Sequence, residues 1–338
     1  MHTKHWFLGA ALALLATTAT AQDRIRLQVN STFGMDQLKE FKQAFEADNR
    51  DIEIVWDRAA TGILTNRILA GPPRADAIWG LAVTSMLLLD KQGLLEPYAP
   101  KDLASIKPEF RDPAQPPAWV GMNAWVAAVC FNTVEAAKSG LPKPASWFDL
   151  VEPRFKGKVA MPHPASSGTG YLLVAGWIKT FGEAKAWEFM DRLHDNIVVY
   201  EHSGLAPCRR AAAGAFPVGI SFDFAAAQAR RQGAPIEGLV MKEGGGWDMD
   251  AAAILRGTTK PEAARRLMDF AASRKANQYY ASLLGQVAMT GVAGQNPDYP
   301  AGVAESMIKN DFAWASENRA RIVAEWTRRY DSKAAPKN

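Results

Sequence analysis

Only two cysteines, Cys130 and Cys208, and five histidines occur among the 338 residues. The cysteines stand alone with no histidine pair nearby, which excludes the ligand spacing of a zinc site. His2 and His5 fall in the first few residues, and His163, His194 and His202 sit in no motif that joins them to a nucleophile. A G-x-S-x-G elbow, an H-E-x-x-H helix and a Walker loop are all missing. Gly244-Gly245-Gly246 is not followed by a helix at the spacing of a dinucleotide fingerprint. Hydrolytic, metal-dependent and nicotinamide chemistries therefore lack their signatures, and nothing in the sequence calls for a cofactor or a metal. Charge of one sign is scarce too. The formal net charge is +4, with Lys and Arg scattered over helical faces rather than gathered in a stripe with aromatics, so nucleic acid is not an expected partner. After the first residues no apolar run approaches the roughly 20 needed to span a bilayer.

What is present begins with a leader. Lys4, between His2 and His5, precedes an apolar run from Trp6 to Ala16, and Ala19-Thr20-Ala21 forms an A-x-A site before Gln22. That order predicts a secretory signal peptide at 1–21, cleaved after Ala21. Cys130 and Cys208 would then sit in an oxidising compartment, where a disulfide is permitted. The sequence leaves open whether they bridge or pack as two small buried apolar residues, because the separation of their Cα atoms is not legible in it.

Short β-rich runs alternate with helical spacing along the chain. Ile25–Val29, Ile52–Trp56 and Ala77–Trp79 read as strands, each followed by a polar turn and a helix. Lys158–Met161, Ile197–Tyr200 and Val218–Phe222 repeat the pattern further on. Gly121–Phe131 reads as a crossing strand and Asp250–Leu255 as the strand that crosses back. The prediction is an α/β fold: two α/β lobes joined by two crossing strands, with a ligand cleft between them. Residues 22–124 and 252–300 form the first lobe and 125–251 the second, with C-terminal helices at 301–330 packing on the lobes. Lys333–Asn338 reads as a frayed tail.

In such sheets ligands bind beyond the carboxyl ends of the strands, which is where the polar turns fall. Pro164-Ala165-Ser166-Ser167-Gly168-Thr169-Gly170 lies between a strand and a helix. Unpaired helix N–H groups, hydroxyls from Ser166, Ser167 and Thr169, and the close approach allowed by Gly168 suit a phosphate, phosphonate or carboxylate. The same residue types also make an ordinary N-cap. Ser31 and Thr32, Thr61 and Gly62, and Thr84 and Ser85 begin other helices and offer donors from the first lobe. For a cationic group, Asp223 follows a strand end, and Trp247-Asp248 follows the glycine run; Trp79 and Tyr200 are further aromatic candidates.

Ala75-Asp76-Ala77-Ile78-Trp79-Gly80, Leu94-Leu95-Glu96-Pro97-Tyr98 and Lys156-Gly157-Lys158-Val159-Ala160-Met161-Pro162 resemble periplasmic binding proteins of ABC importers. The resemblance spans the mature chain and implies a type II periplasmic binding protein. Ile78–Ala82, Trp119–Met122, His202–Gly204, Gly219–Phe222 and Gly246–Asp248 look most like receptors for 2-aminoethylphosphonate. Iron-binding relatives carry an adjacent tyrosine pair where this chain has Ser221-Phe222-Asp223-Phe224; Tyr279-Tyr280 falls inside a predicted helix. The departure favours an organic ligand. The resemblance implies a periplasmic monomer that closes on 2-aminoethylphosphonate and delivers it to an ABC permease in the inner membrane; the alternative is a receptor of the same fold for ferric iron, a polyamine or another phosphorus compound. In that assignment Ser166, Ser167 and Thr169, helped by Ser31 and Thr32, hold the phosphonate. Asp223, or else Asp248, takes the amine, and Trp79 or Trp247 supplies a wall.

Overall fold

The computed structural model describes residues 24–72, 74–294 and 296–336; the expected signal peptide lies outside the described residues. Strand β1 (Ile25–Ser31) leads through helix α1 (Met35–Asp48) to β2 (Ile52–Arg58) and α2 (Thr61–Leu69), then to β3 (Ala77–Ala82), α3 (Val83–Lys91) and the short β4 (Leu95–Glu96). The long β5 (Val120–Asn132) follows, with α4 (Thr133–Lys138), β6 (Val159–Pro162), α5 (Gly168–Phe181), α6 (Glu183–Asn196) and β7 (Ile197–Glu201). Next come α7 (Ala206–Ala212), β8 (Val218–Phe222), α8 (Asp223–Arg231), β9 (Ile236–Leu239) and β10 (Trp247–Leu255). The chain closes with α9 (Pro261–Ala271), α10 (Arg274–Leu283), β11 (Gln286–Val287), α11 (Val303–Ser306) and α12 (Phe312–Tyr330).

The strands run in the order β2-β1-β3-β10-β5-β8-β6-β7. β1 pairs in parallel with β2 and β3, and β6 in parallel with β7 and β8. Between these two parallel groups lies β5. It pairs antiparallel with β10 along Val120–Val126 and then with β8 along Ala127–Phe131. One strand thus threads both lobes, and every residue of it is buried. β10 pairs with β5 along Trp247–Ala252, with β3 along Asp250–Ile254 and with β4 at Ile254 and Leu255. The chain enters it through Gly244–Gly246, where Ala127 donates to the Gly246 carbonyl at 2.9 Å. The pairing of β10 with β5 shifts register between Asp250 and Ala251.

Local composition accounts for the elements. β3 is buried at all six positions, the continuous apolar run of a strand covered on both faces. Helix α5 is buried from Gly168 to Ile178, so its sequence is apolar all round rather than amphipathic. α9 starts on Pro261, whose missing N–H costs nothing at a first helical position. In the first lobe Phe41 stacks on Trp79, ring centroids 5.5 Å apart. In the second, Trp326 packs edge-on to Tyr200 at 4.6 Å. Helix α12 lies against α3 of the first lobe and α5 of the second.

Cys130 and Cys208 are bonded, with Cα atoms 5.3 Å apart, so the question left open by the sequence is answered in favour of the bridge. It ties α7 to the second half of β5. Closing a loop of 78 residues removes chain entropy from the unfolded state worth about 4–5 kcal/mol. Replacing both cysteines by alanine is expected to lower the unfolding free energy by about that amount in denaturant titration, with the native fold retained.

Candidate functional site

A cavity of about 110 Å³ lies between the lobes. Thr32, Arg58 and Thr61 approach it from the first lobe; Ser167, Gly168, Thr169, Ser203 and Gly204 from the second; Asn123, Trp125 and Asp250 from the two central strands. Phe33, Phe222 and Phe224 complete an apolar wall.

The hydroxyl-rich side is built on the N-terminus of α5. Ser167 caps the helix by accepting from Gly170 N–H at 3.3 Å, and the Gly168 and Thr169 backbone belongs to the first turn, whose N–H groups have no intrahelical partner. Gly204 lies against these hydroxyls so closely that a Cβ there would be 2.2 Å from Thr169 Oγ1. From the opposite lobe, Gly62 N–H donates to the Ser166 carbonyl at 2.9 Å. A Cβ at Gly62 would fall 2.1 Å from the Ala165 carbonyl oxygen. The two polar turns therefore meet backbone to backbone, and only glycine at position 62 permits it.

The remaining polar groups come from strands. Asp250 accepts from Asn123 Nδ2 at 3.0 Å, and Asn123 Oδ1 and Gln37 Nε2 are buried without a hydrogen-bond partner. Trp125 Nε1 is directed toward Asp250 without closing a hydrogen bond. Burial pushes the Asp250 carboxyl up to about 7, against the pull of the Asn123 amide, and the nearby Asp248 adds to the rise. Arg58 donates through Nε to the Phe33 carbonyl at 2.7 Å; burial, and then the charge of Arg209, lower its pKa.

Thr32, Ser167, Gly168 and Thr169 of the expected residues line this cavity. Others are held elsewhere. Ser31 donates to the Trp79 carbonyl at 2.6 Å. Ser166 turns its hydroxyl to His202 Nδ1 at 3.0 Å, behind the cavity wall. Trp79 is fully buried in the first core and donates to the Tyr280 hydroxyl at 2.8 Å, so it is no wall of the cleft. Tyr200 packs in the second core with its hydroxyl on His194 Nδ1 at 2.8 Å. Trp247 donates to the Ile308 carbonyl at 2.8 Å and packs on Phe312.

The two acids named for an amine also have other partners. Asp248 accepts from Val83 N–H at 3.1 Å and Thr84 Oγ1 at 2.7 Å. It caps α3, a helix with no side-chain cap of its own. Asp223 accepts from Phe224 N–H at 2.8 Å and from the Tyr299 hydroxyl. Between cavity-lining Phe222 and Phe224, it fixes the aromatic wall from behind. The acid that reaches the cavity is Asp250. Its signal in the sequence was a carboxylate, and that of Asn123 an amide, each next to an apolar run buried on both faces.

Residues 80–315 match the family model for bacterial extracellular solute-binding proteins. The chain belongs to that family. An uncharacterized protein of Haemophilus influenzae is 30% identical over 329 residues, covering 94% of each chain. A probable ABC transporter periplasmic-binding protein of Sinorhizobium fredii is 24% identical over 291 residues, covering 83% of this chain and 78% of its own. Among solved structures, the periplasmic binding protein AfuA of Actinobacillus pleuropneumoniae, with exogenous fructose-6-phosphate bound, superposes with a TM-score of 0.84 at 29% identity, covering 91% of this chain and 99% of its own. This solute-binding protein has the type II periplasmic binding fold and is a periplasmic receptor of an ABC transporter.

Two predictions follow from the geometry of the receptor's site. Gly62→Ala is expected to hold the lobes apart: small-angle scattering at saturating ligand should give a larger radius of gyration than wild type. The second concerns pH. Burial lifts Asp223 to about 7, Asp248 to about 6 and Asp250 to about 7, above an unfolded value of about 3.9. Each raised carboxyl contributes stability that is complete below about pH 4 and lost as pH climbs through about 6 to 7. The ligand-free unfolding free energy should fall over that interval, and less steeply in Asp250→Asn.

Proposed function

We propose that this receptor captures 2-aminoethylphosphonate between its lobes. The observation that carries the reading is the pairing, in one cavity, of a hydroxyl-lined helix N-terminus with a buried carboxyl and a partnerless amide oxygen. Ser167, Thr169 and the first N–H groups of α5, with the Arg58 guanidinium across the cleft, supply donors to a phosphonate, while the Thr32 hydroxyl is held on the Gly80 carbonyl at 3.0 Å. Asp250 and Asn123 Oδ1 supply acceptors to an ammonium, beside the ring faces of Trp125 and Phe222. Neither half of the cavity is satisfied by protein alone. A zwitterion with an anionic head and a short ammonium arm satisfies both, and contacts to both lobes stabilise the closed form. Micromolar affinity requires about −8 kcal/mol, within reach of a few charge-assisted hydrogen bonds.

A sugar phosphate is the second reading, favoured by the fructose-6-phosphate held in the AfuA structure. The same helix N-terminus would take its phosphate, and Asp250 and Asn123 would accept from sugar hydroxyls. Charge separates the two readings. A sugar phosphate gives no reason to ionise Asp250, whereas an ammonium does.

The test is titration of tryptophan fluorescence with 2-aminoethylphosphonate and with fructose 6-phosphate across pH. With the Asp250 carboxyl pushed up to about 7, the ammonium binds its ionised form, so affinity should rise with pH to about 7 and level off above. Asp250→Asn should weaken 2-aminoethylphosphonate binding by about 1.5–3 kcal/mol, the value of a hydrogen bond to a charged group. It should also remove the part of the pH dependence that Asp250 causes. Tighter binding of fructose 6-phosphate, or an Asp250→Asn protein with unchanged affinity for 2-aminoethylphosphonate, would sink the assignment.

A further inference from the structure

The turn that carries the anion donors has little to hold itself in place. Ala165, Ser166, Ser167, Gly168 and Thr169 are small, and none has a side chain large enough to anchor it in a core. What holds it comes from outside. Ala165 N–H donates to His163 Nδ1 at 3.1 Å, and the Ser166 hydroxyl meets His202 Nδ1 at 3.0 Å. Each imidazole is engaged at its other nitrogen by the C-terminal segment: His163 Nε2 lies 2.7 Å from Asp331 Oδ1, and His202 Nε2 lies 2.9 Å from the Ala335 carbonyl oxygen.

The partners fix the tautomers. A backbone N–H only donates and a carbonyl only accepts, so His163 accepts at Nδ1 from Ala165 and His202 carries a proton on Nε2, donated to the Ala335 carbonyl. The two rings stand side by side, 5.5 Å apart, and His163 packs edge-on to Trp326 at 4.8 Å. The segment beyond α12 is itself pinned. Ala335 N–H donates to the Tyr200 carbonyl at 2.9 Å, Ala334 pairs in parallel with Tyr200 at the sheet edge, and Lys333 Nζ donates to the Ile197 carbonyl at 2.8 Å. Of the tail expected to fray, residues 333–336 form a strap instead; residues 337 and 338 lie outside the described residues.

We propose that this strap, residues 331–336, positions the anion-binding turn through His163 and His202 and so sets the receptor's affinity for its ligand. The inference rests on the reading of that turn as the phosphonate site. Donors serve an anion best when they are held in place before it arrives, and here the holding is done from the far end of the chain. The same turn presents the Ser166 carbonyl to Gly62 N–H of the first lobe, so the strap also sets one side of the lobe-to-lobe contact. His163 and His202 are positioning residues; neither lines the cavity.

The experiment compares wild type, a chain ending at Tyr330, Asp331→Ala and Asp331→Glu. Amide exchange of Ala165 and Ser167 is followed in the ligand-free proteins, and affinity for 2-aminoethylphosphonate by calorimetry. Truncation and Asp331→Ala are expected to speed exchange at both amides and to weaken binding roughly tenfold, the scale of one lost charged hydrogen bond. Asp331→Glu should restore both. Should the truncated chain fold poorly, the Asp331 pair decides alone. A lower melting temperature with wild-type affinity and wild-type exchange at the two amides would overturn the proposal and leave the strap a stability element. If wild type ignores 2-aminoethylphosphonate, the ligand assignment falls on that result, and the strap is judged by the exchange of the two amides and by fructose 6-phosphate affinity.

Discussion

A carboxylate enclosed on every side is expensive to ionise, and β10 carries two of them, Asp248 and Asp250, two residues apart in a strand otherwise apolar after Met249. Their different surroundings shape the centre of the molecule. Asp248 is met by the N-terminus of α3 and the Thr84 hydroxyl, which makes it a structural cap joining the strand to a helix that lacks one. Asp250 has a single side-chain amide, that of Asn123, whose own carbonyl oxygen is left without a partner. This incomplete polar group sits where β5 and β10 run together, at the junction of the lobes. The strands that hold the two halves together thus also present the acid to whatever lies between them.

The second lobe answers with the opposite electrostatic character. α5 is apolar around its whole circumference, yet its first turn is made of Ser167, Gly168 and Thr169 facing the cavity. A helix buried in this way cannot expose its leading N–H groups to bulk water, and an anion is the natural partner for them. Glycine enters where backbones must touch. Gly62 and Gly204 bring main chain against main chain and against the Thr169 hydroxyl at separations no side chain allows. In the proposed reading, recognition is a property of two polar surfaces that approach each other closely, with aromatic rings around them.

Much of this was legible in the sequence. Alternation of short β-rich runs with helices gave two α/β lobes, and Gly121–Phe131, most of the buried β5, was visible as an apolar run suited to crossing between them. The turn proposed for the anion stood out because five small residues in a row exceed what a helix cap needs, and three of them, Ser167, Gly168 and Thr169, line the cavity. The acid that lines the cavity was not among those expected, for a definite reason. Asp223 lies at the end of a strand, where side chains commonly face a ligand, but Tyr299, seventy-six positions away, donates to its carboxylate. Trp79, Tyr200 and Trp247 were candidates by residue type, and each was drawn into packing by rings distant in sequence.

What the sequence determined by itself was periodic and local: element types, the polar turns that open helices, the glycines that keep them narrow, and the export signal expected at the N-terminus. What only the tertiary structure decided was which polar group had been left without a partner. Asp248, Asp250 and Asp223 are equivalent as residues. Their fates depend on α3, Asn123 and Tyr299, which reach them through contacts of long sequence separation. The disulfide between Cys130 and Cys208 and the hold of the C-terminal segment on His163 and His202 were decided the same way, because pairing across such distances is set by the packed fold and leaves no periodic trace in the chain.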